Sequence, residues 1–135
     1  MFDGNEVNLA KYRLEQAHEC LQMAKITIET SLKNSVNRSY YCVFHAMRAI
    51  LALDKFDSKK HSGIIAAFRQ RYIKTGQFPR HFSDIIEETF EIRNDSDYED
   101  FYIIAESEAV QQLENAELLL KAVVDYIGNI LKEHP

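Results

Sequence analysis

The last part of the chain carries a repeating apolar stripe that a long helix accounts for best. Between residues 107 and 131 apolar side chains recur every three or four positions, at Val110, Leu113, Ala116, Leu120, Val123, Val124, Ile127, Ile130 and Leu131. This spacing is close to a heptad repeat and places these side chains on one face of a helix. An apolar stripe of this length has to pack against other apolar surfaces, which the rest of the chain must supply.

Four further segments show the same helical spacing and supply those surfaces. They cover residues 6–30, 36–53, 59–74 and 79–93. The alternation of apolar and polar residues that is typical of strands is absent, and the 135 residues include only 4 Gly and 2 Pro. We therefore predict an all-α fold: an antiparallel bundle of four or five helices with short connections, formed by one domain over residues 1–135.

The location of the protein is predicted from what its sequence lacks. No segment approaches the roughly 18 consecutive apolar residues of a membrane span. The start of the chain, Met-Phe-Asp-Gly-Asn-Glu, lacks the basic and apolar regions of a signal peptide. Cys20 and Cys42 lie on apolar helical stripes, which is typical of reduced core thiols. These features predict a cytoplasmic protein with no membrane association.

Two pairs of metal-binding residue types occur on the predicted helices, but neither has the partners that a metal site needs. Glu15 and His18 form a Glu-x-x-His pair, yet a di-metal bundle needs a second such pair and two further inward-facing glutamates. Cys42 and His45 are three residues apart on a largely apolar helix, and His18 and Cys20 are conceivable partners for zinc, but structural zinc ligands usually come in closely spaced pairs around turns, so packing of the thiol in the core is the better interpretation. We predict no metal site and no cofactor.

Positive charge is concentrated in the middle of an otherwise acidic chain. Residues 33–93 hold 11 Lys and Arg against 6 Asp and Glu, whereas the two flanks together hold 5 against 15. A local basic surface of this kind suits phosphate binding, although scattered charges on solvated helix faces would give the same count. Gly-rich phosphate loops and nucleophile-elbow motifs are absent from the sequence.

Residues 91–98 (Glu-Ile-Arg-Asn-Asp-Ser-Asp-Tyr) place one arginine among acidic residues at a predicted helix end. The side chains of residues 94–97 compete for backbone hydrogen bonds, so we predict that the helix ends near Arg93. There the helix dipole would favour the cation, and Asp95 and Asp97 would hold its guanidinium with donors left for a phosphate. The alternative is an ordinary solvated ion pair at a helix end.

A polar and aromatic stripe on the second predicted helix forms a second candidate surface. Asn37, Tyr41, His45 and Arg48 follow one another at intervals of 4, 4 and 3 residues and so share one helix face. Arg38 lies beside this stripe, and Lys60 and His61 open the next helix. These residues form either a solvated face or the wall of a groove that hydrogen-bonds to nucleotides and stacks on them.

Three stretches of the chain resemble the successive motifs of HEPN domains. They are residues 35–46 (Ser-Val-Asn-Arg-Ser-Tyr-Tyr-Cys-Val-Phe-His-Ala), 58–63 (Ser-Lys-Lys-His-Ser-Gly) and 93–98 (Arg-Asn-Asp-Ser-Asp-Tyr), and the likeness is closest to the group with an Arg-x-x-x-Asp-Tyr signature. The resemblance implies a helical bundle that forms a homodimer with two arginine motifs across one cleft. It also implies a minimal nucleotidyltransferase as partner in a toxin–antitoxin pair, and metal-independent RNase activity in many members.

The resemblance assigns the catalytic arginine of the family to Arg93, with Asn94 as its polar neighbour. The family histidine, which follows the arginine after four to six intervening residues, is replaced here by Tyr98, Glu99 or Asp100. We therefore expect His61 or His45 to substitute as the base and Tyr98 to act as a hydrogen-bond donor or acid. RNA or nucleotide binding is expected from Asn37, Arg38, Tyr41, His45, Lys60 and Asp97.

Two further expectations follow from the resemblance. The partner enzyme of the toxin–antitoxin type can attach AMP to a tyrosine whose own position is Asp100 here, so Tyr98 and Tyr102 are the nearby acceptors. The alternative to a nuclease is a non-catalytic HEPN module that binds a nucleotide or the partner nucleotidyltransferase, with Asp97 and Tyr98 bracing Arg93. A helical scaffold without a ligand is the third interpretation.

Overall fold

A computed structural model describes residues 4–133 and shows five α-helices between them. They are α1 (Gly4–Thr27), α2 (Leu32–Leu53), α3 (His61–Phe68), α4 (His81–Tyr98) and α5 (Glu106–Glu133), and α3 continues into a π-helical turn (Arg69–Ile73). No strand occurs in this part of the chain. The all-α prediction is confirmed, as is the helical bundle.

Helix α2 is the central element, because α1, α3, α4 and α5 all pack against it. Its side chains are buried on most of its circumference, from Val36 and Tyr40 through Met47 to Leu53. Ser31 is the N-cap directly before α2: its hydroxyl accepts a hydrogen bond from the Asn34 amide at 3.2 Å. The charged and amide side chains of α2 are either exposed, as those of Lys33, Asn34 and Arg38 are, or lie on the half-buried stripe of Asn37, Tyr41, His45 and Arg48.

Cys20 and Cys42 are both buried and unpaired, as the sequence predicts. The Cys42 thiol lies 3.9 Å from the Ala116 carbonyl oxygen, so it faces α5. In the part of the chain that the structure describes, no helix combines the length and the apolar character needed to cross a membrane.

The prediction that α4 ends near Arg93 is wrong, because the helix continues to Tyr98. Ile92 is buried in a small second core with Val36, Ile104 and Ala109, and this packing holds the helix beyond its predicted end. Arg93 and Asp97 lie one turn apart and form an ion pair on the helix surface. Tertiary packing and this pair therefore outweigh the tendency of residues 94–97 to leave the helix.

Candidate functional site

The site is built around Arg93, whose guanidinium is held by three neighbouring side chains. Its Nη2 donates to the Tyr41 hydroxyl at 3.0 Å and its Nη1 to Asn94 Oδ1 at 3.2 Å. Its Nε lies 3.1 Å from Asp97 Oδ2. Asp95 makes no ion pair with Arg93 in the described structure, so the predicted pair of holding carboxylates is reduced to Asp97.

Aromatic rings on α2 fix the plane of this guanidinium. The Arg93 Cζ atom lies 5.0 Å from the centroid of the Tyr40 ring and 5.4 Å from that of Tyr41. Both distances are within the range of cation–π attraction. The Arg93 side chain is only 14% exposed, because these rings and its hydrogen-bond partners cover most of it. Arg93 is thus positioned before any ligand arrives.

The first turn of α3 brings His61 into the same site. Its Nδ1 lies 2.6 Å from the Tyr40 hydroxyl, its ring stacks on Phe44 with 4.1 Å between ring centroids, and the Tyr41 ring meets it edge-on at 5.9 Å. His45, one turn after Tyr41 on α2, is half-buried beside the Tyr41 ring at 6.0 Å. We refer to Arg93, Tyr41, Asn94, Asp97, His61 and His45 together as the Arg93 site.

Burial and neighbouring cations keep the two imidazoles neutral. Burial lowers the pKa of His45 to about 4, with further lowering by Arg48, Arg13 and His61. Burial likewise lowers the pKa of His61, and Arg93 and Arg48 add to this effect. Burial raises the pKa of Tyr40 to about 12, although the Arg93 charge opposes it. At neutral pH the site therefore contains uncharged histidines and a protonated Tyr40.

Three polar atoms at or beside the site are buried without a hydrogen-bond partner among the described residues. They are His45 Nδ1, Arg48 Nε and Arg93 Nε. The Arg93 Nε atom is close to Asp97 but its N–H is not directed along a hydrogen bond to that carboxylate. Unpartnered buried polar atoms are uncommon in folded proteins, so this end of the bundle is unusual in leaving three of them.

The other predicted site residues lie at different distances from Arg93. Asn37 is half-buried on the same stripe of α2, and Lys60 is exposed directly before His61. Arg38 lies beside the Cys20 thiol, where burial raises the pKa of the thiol and Arg38 opposes that rise. Tyr98 is 74% exposed at the end of α4 and Tyr102 is half-buried in the following loop. The structure thus brings neither Arg38 nor Tyr98 into contact with Arg93.

Sequence reasoning missed an arginine that is buried on α1. Arg13 is 6% exposed, and its guanidinium donates to the Arg48 carbonyl oxygen at 3.1 Å and to Asp57 Oδ2 at 3.3 Å. Arg48 donates to both oxygens of the same carboxylate, at 3.2 and 3.0 Å. We call these three residues the Asp57 cluster. The signal in the sequence was a charged residue on the apolar stripe that Ala10, Ala17 and Leu21 define.

Comparison with known proteins gives consistent matches over most of the chain. Residues 10–128 match the model of the HEPN domain. A Thermotoga maritima protein named "UPF0332 protein" is 30% identical over 123 residues, which are 90% of this chain and 93% of that protein. A Methanocaldococcus jannaschii protein named "Putative toxin" is 33% identical over 121 residues (89% and 87%), and a second of that name is 28% identical over 122 residues (88% and 83%). The matched segment includes every residue of the Arg93 site.

Proposed function

The chain belongs to the HEPN domain family, and from that premise we propose that it is a protein of the toxin–antitoxin type that binds phosphate groups of RNA or a nucleotide at Arg93. The observation that carries the proposal is a guanidinium that Tyr41, Asn94 and Asp97 hold in place and that keeps N–H donors outside these contacts. Arg93 uses two N–H groups in hydrogen bonds, and a guanidinium carries more than two. Its planar fork matches phosphate oxygens, so the remaining donors suit this ligand.

Two copies of the site in a homodimer would complete a cleft. A single bundle offers one Arg93 beside Tyr41, and a phosphate of a strand bound across a two-fold axis would meet a second guanidinium from the partner. The toxin names of the Methanocaldococcus jannaschii relatives favour a protein that acts on a cellular target and is restrained by a partner. A minimal nucleotidyltransferase is the partner that we propose, in the cytoplasm.

Metal-independent RNA cleavage is the activity that this arrangement would support. A cation that stabilises the charge developing on the phosphorane is one requirement, and Arg93 meets it. A group that takes the proton of the 2′-hydroxyl is the other. His45 and His61 are the candidates for this proton acceptor, because both imidazoles of the Arg93 site are neutral. Tyr98 is exposed and does not contact Arg93.

The alternative function is a non-catalytic module that binds a nucleotide or the partner enzyme. One observation favours it: the three positions after Arg93 that would carry the family histidine are Tyr98, Glu99 and Asp100. In this alternative Asp97 and Tyr41 hold Arg93 so that it binds a phosphate, and the bound RNA is not cleaved.

Incubation of purified protein with a labelled RNA pool in EDTA tests the proposal. We compare the wild type with Arg93→Ala and Arg80→Ala. Arg80 is an exposed arginine directly before α4, and its loss changes the net charge by the same amount as the loss of Arg93. We expect Arg93→Ala to lose cleavage and to bind RNA at least about tenfold more weakly, since one charge-assisted phosphate contact is lost, and Arg80→Ala to keep both.

The outcomes separate the two functions. Binding without cleavage by the wild type, weakened only in Arg93→Ala, supports the non-catalytic module. Equal binding and equal cleavage by wild type and Arg93→Ala would contradict both. Size-exclusion chromatography with light scattering, run on the same samples, tests the homodimer separately.

A further inference from the structure

The hydrogen bond between Tyr40 and His61 can run in only one direction. Tyr40 is 1% exposed, and its hydroxyl has a single partner among the described residues, His61 Nδ1 at 2.6 Å. If Nδ1 carried a proton and donated it, the phenol O–H would be left buried with no acceptor, and this arrangement is strongly disfavoured. The Tyr40 hydroxyl therefore donates to Nδ1, which carries a lone pair.

The direction of this bond fixes the position of the imidazole proton. A neutral imidazole with an accepting Nδ1 carries its proton on Nε2. The Nε2 atom of His61 has no hydrogen-bond partner among the described residues and is not fully buried, so it reaches solvent. The side of His61 that a ligand can reach is thus an N–H donor.

We propose that Tyr40 is a positioning residue that holds His61 in the Nε2–H tautomer, so that His61 donates a hydrogen bond to an anionic phosphate oxygen and does not serve as the base. The ligand is a phosphate group bound beside Arg93, and in this respect the inference rests on the proposed function. It revises the expectation that His61 replaces the family histidine as the base. Any proton acceptor for cleavage then has to be another group.

The surroundings of His61 support a neutral ring that is held in one orientation. From α2 it faces Tyr40, Tyr41, His45 and Arg48, and from α4 it faces Arg93; no carboxylate contributes to its titration. A ring close to two guanidiniums and without a carboxylate neighbour favours the uncharged state. Stacking on Phe44 and the edge contact with Tyr41 restrict the rotation that would exchange the two nitrogens.

His45 shows what the same ring type looks like without this hydrogen bond. Its Nδ1 is buried and has no partner among the described residues, and no tyrosine hydroxyl reaches it. Its ring also meets Phe44 edge-on, whereas the His61 ring stacks on Phe44. The Tyr40 hydroxyl therefore restrains the tautomer of His61 and not that of His45.

Nitrogen-15 NMR of the imidazoles tests the proposal without RNA. In the wild-type protein we expect His61 to show a protonated Nε2 and an unprotonated Nδ1 at neutral pH. Tyr40→Phe removes only the hydroxyl donor, so we expect mixed tautomers and a higher His61 pKa, because the hydrogen bond that favours the neutral ring is lost. Tyr72→Phe is the matched control, because it removes another buried tyrosine hydroxyl, bonded at 2.7 Å to Asp54.

A protonated Nδ1 in the wild type, or an unchanged tautomer in folded Tyr40→Phe, overturns the proposal. A second pair of variants gives an answer even if Tyr40→Phe does not fold. The carboxamide of His61→Gln can donate a hydrogen bond but cannot take up a proton, whereas His61→Ala can do neither. We expect His61→Gln to keep RNA affinity within about threefold of the wild type and His61→Ala to lose about tenfold. Equal losses in both variants contradict a donor role.

These measurements also separate the inference from the proposed function. If the wild type binds no RNA but the NMR spectra show the Nε2–H tautomer that Tyr40→Phe releases, the positioning role stands and the proposed ligand fails. If RNA binds through Arg93 but the tautomer is the opposite one, the proposed function stands and the inference fails.

Discussion

Arginines occupy two neighbouring regions of the bundle and are satisfied in different ways. In the Asp57 cluster, Arg13 and Arg48 share one carboxylate, and Arg13 also bonds to a backbone carbonyl, so the partners come from α1, α2 and the loop after α2. In the Arg93 site, the partners are Asn94 and Asp97 on the same helix and one tyrosine hydroxyl. One arrangement ties segments of the fold together, and the other mainly orients a side chain.

This difference teaches that burial alone does not identify a functional charge. The Arg13 side chain is 7% exposed and the Arg93 side chain is 14% exposed, so exposure barely separates the two arginines. They differ in what their donors do. The Nη atoms of Arg13 donate to a carbonyl and a carboxylate from distant parts of the chain, whereas Arg93 lies against the Tyr40 ring and its Nε–H has no hydrogen-bond acceptor among the described residues. The first pattern is typical of structural stabilisation and the second of ligand binding.

Asp57→Asn should produce the largest loss of stability. The change keeps the shape of the side chain but leaves Arg13 and Arg48 without their shared counter-charge, and Arg13 is buried. Asp57 itself is 51% exposed, so water screens part of the effect. We expect the free energy of unfolding to fall by about 2 kcal/mol. Urea denaturation followed by circular dichroism measures it.

Asp97→Asn is the matched control for this comparison. It removes the same charge from a pair within one helix. The Arg93 and Asp97 side chains are 14% and 22% exposed, but Arg93 keeps its hydrogen bonds to Tyr41 and Asn94, so we expect a smaller loss of about 1 kcal/mol. Losses of equal size at both positions would remove the distinction between a structural cluster and a binding site.

The sequence predicted the helices more reliably than it predicted the contacts between them. Apolar spacing located all five helices because each buries a stripe against α2 or its neighbours. The end of α4 was wrong because the turn-forming residues 94–97 are outweighed by Ile92, whose burial depends on α2, the loop and α5. Packing of this kind is formed by residues far apart in the chain.

The candidate site divides in the same way. The shared face of Asn37, Tyr41, His45 and Arg48 follows from helix periodicity, and the structure places them on one half-buried stripe. The contact of Tyr40 with His61 joins residues 21 positions apart, and that of Arg93 with Tyr41 joins residues 52 positions apart. No local pattern encodes such pairs. Arg13 gave a usable signal, but its carboxylate partner is 44 residues away.

Gly63→Ala should affect both regions through one close contact and produce an effect of intermediate size. A Cβ atom at Gly63 would lie 2.9 Å from Ser58 Cβ, which is closer than packed carbon atoms approach. The strain would displace the segment between Asp57 and His61 and would therefore move both residues. The overpacking destabilises the protein more than the higher helix propensity of Ala stabilises it. We therefore expect the free energy of unfolding to fall by about 1 kcal/mol.

Two further variants test this explanation of the Gly63 effect. Gly128→Ala places the same methyl group on an exposed position of α5 with open space around it, and we expect it to stabilise the protein by up to about 1 kcal/mol. Ser58→Gly combined with Gly63→Ala removes the obstructing side chain and should recover the loss. If the double variant stays as unstable as Gly63→Ala, the contact with Ser58 is not the cause.

The two regions should also lose stability in different pH ranges. The pKa of His45 is lowered from 6.5 to about 4 in the folded protein, so the unfolded chain binds the proton more readily between these values. Stability from neutral His45 is complete above pH 6.5 and is lost as the pH falls toward about 4. His45 is partly exposed, so we expect the loss to stay below the limit of about 1.4 kcal/mol per pH unit for one proton.

Asp57 responds to pH in a lower range. Burial opposes its ionisation, but hydrogen bonds from Arg48 and the Ser58 amide and the charges of Arg48 and Arg13 together lower its pKa below 3.8. Its contribution is therefore present above pH 3.8 and is lost only below that value. Denaturation of the wild type and His45→Gln as a function of pH separates the two regions, with His18→Gln as an exposed control. We expect His45→Gln to flatten the loss of stability above about pH 4 and to leave the steeper loss at lower pH. If His45→Gln and His18→Gln give identical profiles, the buried imidazole does not couple the Arg93 site to pH.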